Sequence, residues 1–319
     1  DTFKVRLYVG DLTNDNAVFQ FPATVPGTYD IMNIGRYVTS FKVYNKQFIE
    51  ISSNQISTNQ WQIDDPNEAY IIDYTIAETW DTPVNENSIY LMAGTSIEND
   101  HVLLNTFCVL GYPTGLKNKA FTLKIDHPAG WTVGTSLEKT NEGYYWAKDY
   151  DYLVDSPLLL GGISHESTIV DNTHINVYTY SVTDEVTSSQ ILPDIEKAIN
   201  DASKFLKGLP VDRYSFIFHF ENVGAGALEH SFSSVYVLEE NPYESGALDW
   251  ATYHEFFHIV TPLNIHSEII ENFNFVTPTA SAHLWLYEGV TEWASDMMQF
   301  RNGSMDLNEL FSQIARKIY

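Results

Sequence analysis

Apolar and polar positions alternate along the first half of the chain. Phe3, Val5, Leu7 and Val9 fall on every second residue, and so do Tyr70, Ile72, Tyr74 and Ile76. A period of two marks a strand with one face turned to a core. Turn-forming clusters at Pro26-Gly27, Asn85 to Ser88, Pro113 to Gly115 and Asn141-Glu142-Gly143 separate such runs. This pattern predicts an antiparallel β-sandwich or saddle over residues 1–165. The period changes after Asp155-Ser156-Pro157 and Gly161-Gly162. Ile191, Ile195, Ala198, Ile199, Ala202, Phe205 and Leu206 recur at spacings of three and four, so an amphipathic helix is expected, closed by Gly208 and Pro210. Tyr214, Phe216, Phe218 and Phe220 alternate again as a strand. Gly224-Ala225-Gly226 breaks that run before a second predicted strand over Ser231 to Leu238. The expected class is α+β, with a second domain over residues 166–319 and no internal repeat.

Composition narrows the functions this fold can serve. A chain of 319 residues with 44% hydrophobic and 14% aromatic residues folds around a core and is not disordered. Its 17 Lys plus Arg stand against 42 Asp plus Glu, a net charge of −25 that argues against nucleic-acid and anionic membrane partners. No apolar run approaches the roughly 18 residues of a membrane-spanning helix. Cys108 is the single cysteine, so there is no intramolecular disulfide and no thiolate cage. A metal would have to rest on histidine and carboxylate. The chain opens at Asp1 without a signal peptide, as a processed exported protein does, and a periplasmic or secreted location is the expectation.

Candidate chemistry concentrates in His254-Glu255-Phe256-Phe257-His258. The motif lies in a predicted helix over Ala247 to Val260, with Leu248, Ala251 and Ile259 on one buried face and Pro262 as its stop. Positions i and i+4 of a helix face the same way, so His254 and His258 can present two imidazole nitrogens to one ion beside Glu255, the HExxH arrangement. Catalytic zinc usually takes a third protein ligand, here to be found among His266, Glu268, Glu271, Glu288 and Glu292. A metzincin would carry Gly and His three and six residues past His258, where this chain has Thr261 and Asn264. Glu288 is preferred, because a carboxylate inside the apolar run Leu284-Trp285-Leu286-Tyr287-Glu288-Gly289-Val290-Thr291 needs a partner if buried. His266 and Glu268 remain competitors across the 29-residue spacer. Glu292, one turn on, could accept the free N–H of a ligating imidazole. His219 and His283 read as ordinary core or surface histidines.

Tyr253 to His258, Leu284 to Thr291 and Gly226-Ala227-Leu228-Glu229-His230 together resemble the glycyl aminopeptidase family of zinc metallopeptidases, within the thermolysin-like gluzincins. Pro26-Gly27-Thr28-Tyr29 and Leu153 to Pro157 are weaker echoes in the β half. The resemblance implies a thermolysin-like catalytic domain, Zn2+ held by His254, His258 and Glu288, and Glu255 as base. It also implies a peptide substrate with a free N-terminus and a small first residue, glycine or alanine. Gly226-Ala227-Leu228-Glu229 is similar to the Gly-Ala-Met-Glu motif of larger zinc aminopeptidases, which assigns Glu229 to the substrate's ammonium and counts Gly226, Ala227 and His230 as substrate-binding residues beside it. The strand over Ser231 to Leu238 is the expected edge for an added peptide strand. Two departures stand out: no transition-state tyrosine can be assigned within the 31 residues after Glu288, and no segment of these residues resembles the family's PDZ-like module, so that module too is expected to be missing. Leu307, Leu310, Phe311, Ile314 and Ile318 form an apolar stripe behind the helix start Asp306 to Glu309, so a missing C-terminal lobe is expected. The rival reading is a non-catalytic ligand- or metal-binding protein built on a truncated or degenerate metallopeptidase domain. Intact Glu255 argues against it.

Overall fold

The computed structural model of the chain describes residues 1–318, which divide into two units, Asp1–Gly162 with Asn272–Ala280, and Ile163–Glu271 with the chain from Ser281 onward. The first unit is built of antiparallel sheets. Thr2–Tyr8 pairs with Ile71–Ala77, which pairs with Val38–Tyr44 and through it with Glu50–Ile51. A second sheet orders Tyr112–Pro113, Val18–Gln20, Gln60–Ile63 and Ser53–Ser57. Aromatic rings join the two: Phe41 of the first sheet stacks on Trp61 of the second at 5.3 Å, and Phe19 lies 5.8 Å from Tyr74. Rings are the economical filler between sheets about 10 Å apart. The alternation at Tyr70 to Ile76 thus corresponds to a strand with Ile72, Tyr74 and Ile76 buried, whereas Phe3, Val5 and Leu7 are only half-buried.

One feature of this unit escapes sequence periodicity. Asn272–Ala280 returns to it from the second half of the chain, so the two-domain division is not contiguous as expected from the change of period near residue 165. Phe275 is the anchor, buried and edge-on to Tyr150 at 5.2 Å, and its carbonyl accepts from the Ala23 N–H at 2.7 Å. Lys117 donates to the Phe273 carbonyl at 3.2 Å.

In the second unit the elements are β1 (Ser164–Val170), β2 (Thr173–Ser181), α1 (Ser188–Leu206), β3 (Arg213–Phe220), β4 (Gly226–His230) and β5 (Ser233–Leu238). They are followed by α2 (Asp249–Phe257), a helical turn Glu268–Glu271, α3 (Thr291–Arg301) and α4 (Leu307–Ile318). The five strands make one mixed sheet, ordered β1-β2-β3-β5-β4, with β2, β3 and β5 parallel and both edges antiparallel. A Thr187–Gln190 capping box opens α1 and satisfies its first N–H groups. Left-handed Lys207, followed by Gly208 at φ +122°, closes it. The predicted stripe Ile191, Ile195, Ala198, Ile199 and Ala202 is buried against one face of the sheet, where Phe216, Phe218 and Tyr236 stack. β3 is covered on both faces, since Ser215, Ile217 and His219 are buried as well. That is the position of a central parallel strand.

Two expectations change here. β5 is interior, paired to β3 on one side and to β4 on the other, so the free edge beside the motif helix is Gly226–His230 and not Ser231 to Leu238. The motif helix is shorter than the span 247–260. After Phe257 the backbone tightens, with Ile259 and Val260 donating to carbonyls three residues back. On α4 only Leu310 of the apolar stripe is buried; Leu307, Phe311 and Ile314 are exposed, and the side chain of Ile318 lies outside the described residues. Among the described residues no helix is long and apolar enough to cross a membrane.

Candidate metal centre

Helix α2 is fixed by the sheet beneath it and by α1 beside it. Phe256, buried, meets Tyr214 edge-on at 4.9 Å and lies over Phe216 at 6.1 Å. Tyr253 donates to Asp201 of α1 at 2.8 Å, and Lys197 pairs with Asp249 at 3.5 Å. With one side of α2 committed in this way, His254 and His258 share the other, their ring centroids 4.9 Å apart. His258 caps the helix at φ −58°, still helical, so the i, i+4 relation holds.

Each imidazole has its Nδ1 engaged. That of His254 lies 2.7 Å from a Glu292 carboxylate oxygen, and that of His258 lies 2.8 Å from the Thr261 carbonyl. Both acceptors fix the proton on Nδ1 and leave Nε2 to face the centre. The two Nε2 atoms converge on Glu288 Oε2, at 3.3 Å from His254 and 3.8 Å from His258. A tetrahedral ion with bonds of about 2.0–2.1 Å needs donors about 3.3–3.5 Å apart, so this set fits a divalent metal with little adjustment.

The charges describe the same cluster. Burial opposes a charged His254, yet its hydrogen bonds to Glu288 and Glu292 outweigh that and raise its pKa to about 10. The bond from His254, aided by Lys317, lowers Glu292 to about 2 despite burial. Glu255 is pushed up to about 8, first by burial and then by the carboxylate of Glu229. A ring that is most stable as a cation, between two carboxylates and beside a carboxyl that resists ionisation, marks a place where positive charge is favoured.

The other candidates sort themselves by position. A Glu229 oxygen lies within 4.8 Å of ligand atoms of Glu255 and His258, so Glu229 joins the site from β4. Ala227 shares its face of the strand. Gly226 and His230 occupy the alternate positions, and His230 is buried on the face opposite Glu229. His266 sits with Nδ1 at 2.8 Å from the Pro262 carbonyl. Neither it nor Glu268 nor Glu271 belongs to any cluster of three such ligands among the described residues. Glu288 is not buried in an apolar run as expected: its side chain is 36% exposed, Trp285 is 67% exposed, and only Tyr287 packs inward. The run is a wide π-type turn, Trp285–Val290, leading into α3 and held by Tyr287, whose hydroxyl accepts from the Ser267 N–H at 3.0 Å. Thr261 and Thr291 complete the support, their hydroxyls 3.0 Å apart and both buried. A backbone carbonyl that orients a ring leaves no sequence signal, which is why Thr261 escapes a reading by residue type.

Against this geometry the family comparisons are decisive. The description Peptidase M61 N-terminal domain matches residues 1–162, and M61 glycyl aminopeptidase matches residues 249–319. The chain belongs to the M61 glycyl aminopeptidase family. Among solved structures, it resembles an aminopeptidase N family protein from Idiomarina loihiensis, with TM-score 0.81 and 22% identity over 96% of this chain and 53% of that one. It also resembles an M1 zinc metallopeptidase from Deinococcus radiodurans, with TM-score 0.52 and 13% identity over 95% of this chain and 67% of that one. A mutant of the latter bound to a Tyr-ser-ala substrate gives TM-score 0.51 at 13% identity over the same shares. At these identities the likeness is one of fold, and the M61 chain spans about half the length of the Idiomarina protein. No curated protein matches it.

Proposed function

We propose that this M61 chain carries the centre of a zinc-dependent aminopeptidase that removes a small N-terminal residue, glycine or alanine, from peptides. The observation that carries the reading is the convergence of His254 and His258 Nε2 on Glu288, with Glu255 buried beside them. His254, His258 and Glu288 would hold the zinc. Bound there, zinc supplies a Lewis acid for the scissile carbonyl and an acidified water.

The chain's own groups do the rest. Glu255 is the proton carrier: burial raises its carboxyl towards neutrality, so it can take a proton at its carboxylate and return it to the leaving amine at the same pH. Glu292 and the Thr261 carbonyl hold the two imidazoles in the tautomer that leaves Nε2 available. Glu229 accepts the substrate's ammonium at a fixed distance, so only the first peptide bond reaches the centre. As the edge strand of its sheet, β4 offers backbone that can pair with the substrate, and the family description supports glycine as its first residue.

The test is hydrolysis of glycyl-arylamide by the zinc-loaded chain, with Glu255→Gln alongside. We expect one zinc per chain in both proteins and turnover only in the unsubstituted one. Equal turnover would refute the role of Glu255, and zinc without any turnover would favour the binding-protein alternative.

A further inference from the structure

The geometry points to Lys317, on the last helix, as a positioning residue for the metal ligand His254, acting through Glu292. This rests on the reading of His254 as a ligand. Glu292 divides its two oxygens: Oε2 receives the His254 Nδ1–H at 2.7 Å, and Oε1 receives the Lys317 ammonium at 2.6 Å. The same ammonium donates to Asp296 Oδ2 at 2.7 Å. Glu292 and Asp296 are one turn apart on α3, so their like charges would push the two side chains apart without a cation between them. Lys317 is that cation.

The consequence for the site follows from how a carboxylate orients a ring. With only His254 as partner, a Glu292 side chain that is 39% exposed could turn about its last torsion and offer either oxygen. An ammonium on the second oxygen removes that freedom, fixes the carboxylate plane and with it the ring plane of His254. Helix α4 thereby contributes to a centre whose ligands all lie on or before residue 288. The apolar pattern of α4 has no part in this, because Lys317 acts through charge and reach.

The experiment measures zinc retention and geometry, not turnover. Zinc-loaded parent, Lys317→Met, Lys317→Gln and Lys317→Arg are challenged with a chelator, and the visible spectrum of the cobalt-substituted forms is recorded. Supports of metal ligands usually change affinity by about 10- to 100-fold, and a group one bond further out should change it less. We expect release about 3- to 10-fold faster in Lys317→Met and Lys317→Gln, with an altered cobalt spectrum. Lys317→Arg, which can still reach both carboxylates, should restore both readouts. Exposed Arg316→Met is the charge control and should leave both unchanged. Lys317→Met should add nothing in a Glu292→Gln background, because the path runs through that carboxylate. A folded Lys317→Met or Lys317→Gln with parental release and spectrum would overturn the inference. So would a full effect in the Glu292→Gln background, or a loss of folding in both variants, which would make Lys317 a stability element. A parent chain that binds no zinc would instead overturn the metal reading on which this one stands.

Discussion

Replacing Glu255 by Gln should stabilise the metal-free chain while removing its proton carrier. Glu255 is buried, and its carboxylate lies within 4.8 Å of ligand atoms of Glu229 and His258. Burial, then the charge of Glu229, raises its pKa from 4.5 to about 8. A carboxyl whose pKa rises on folding costs little below its unfolded value, where it is protonated in both states. It costs progressively more as pH climbs from 4.5 to 8. At about 1.36 kcal/mol per pH unit the full cost reaches about 5 kcal/mol, and relaxation around the charge reduces that to roughly 3–5 kcal/mol. Gln keeps the shape, carries no charge and can donate its amide N–H to Glu229, so most of that amount should be recovered. For a unit of this size that corresponds to about 10 °C in melting temperature. His254 moves in the opposite sense: its contribution is complete below pH 6.5 and fades as pH rises through about 10. Its bonds to Glu288 and Glu292 are common to both proteins, whereas its weaker attraction to charged Glu255 is lost in the variant and offsets a small part of the gain. The assay is thermal unfolding of the chelator-treated proteins at pH 5 and pH 8. Glu255→Gln should melt well above the parent at pH 8 and close to it at pH 5, and added zinc should narrow the gap at pH 8. Equal melting at pH 8, or the same gain at both pH values, would refute the reasoning.

The remaining predictions concern ligands and substrate. Glu288→Ala should drop zinc content well below one per chain by elemental analysis, whereas His266→Ala should keep it, since only the former removes a donor facing both imidazoles. If His266→Ala empties the centre, the ligand set is wrong. Glu229→Ala should lower kcat/KM on glycyl-arylamide about 10- to 100-fold, the loss of a charge-assisted hydrogen bond worth about 1.5–3 kcal/mol. N-acetylation of the substrate should abolish cleavage by the parent. Cleavage of acetylated substrate at a comparable rate would identify an endopeptidase.

Much of this protein was legible without coordinates. The i, i+4 spacing of His254 and His258 is a local property of one helix, and the stripe Ile191 to Ala202 is another; both depend only on 3.6 residues per turn. The alternation at 214–220 announced a strand through another local property, the period of two of an extended chain. It was silent on the strand's place in the sheet, because burial of Ser215, Ile217 and His219 depends on what covers the second face. Gly226–His230 lacks the apolar alternation of a strand, and its standing as the free edge follows from β3 pairing in parallel with β5. Glu288 could be named as a carboxylate worth attention, but its convergence with two imidazoles requires the π-type turn held by Tyr287 and Ser267. Glu292 could be named from the sequence as an acceptor for a ligating imidazole, but which imidazole it meets, His254 across 38 residues, was not legible there. The Thr261 carbonyl and Lys317, which meets Asp296 across 21 residues, gave no signal in one dimension. Periodicity reports what a residue does within its own turn or strand, and it therefore determined the elements and the motif. Which distant carbonyl, carboxylate or ammonium each motif residue meets depends on how those elements stack, and only the tertiary structure decided that.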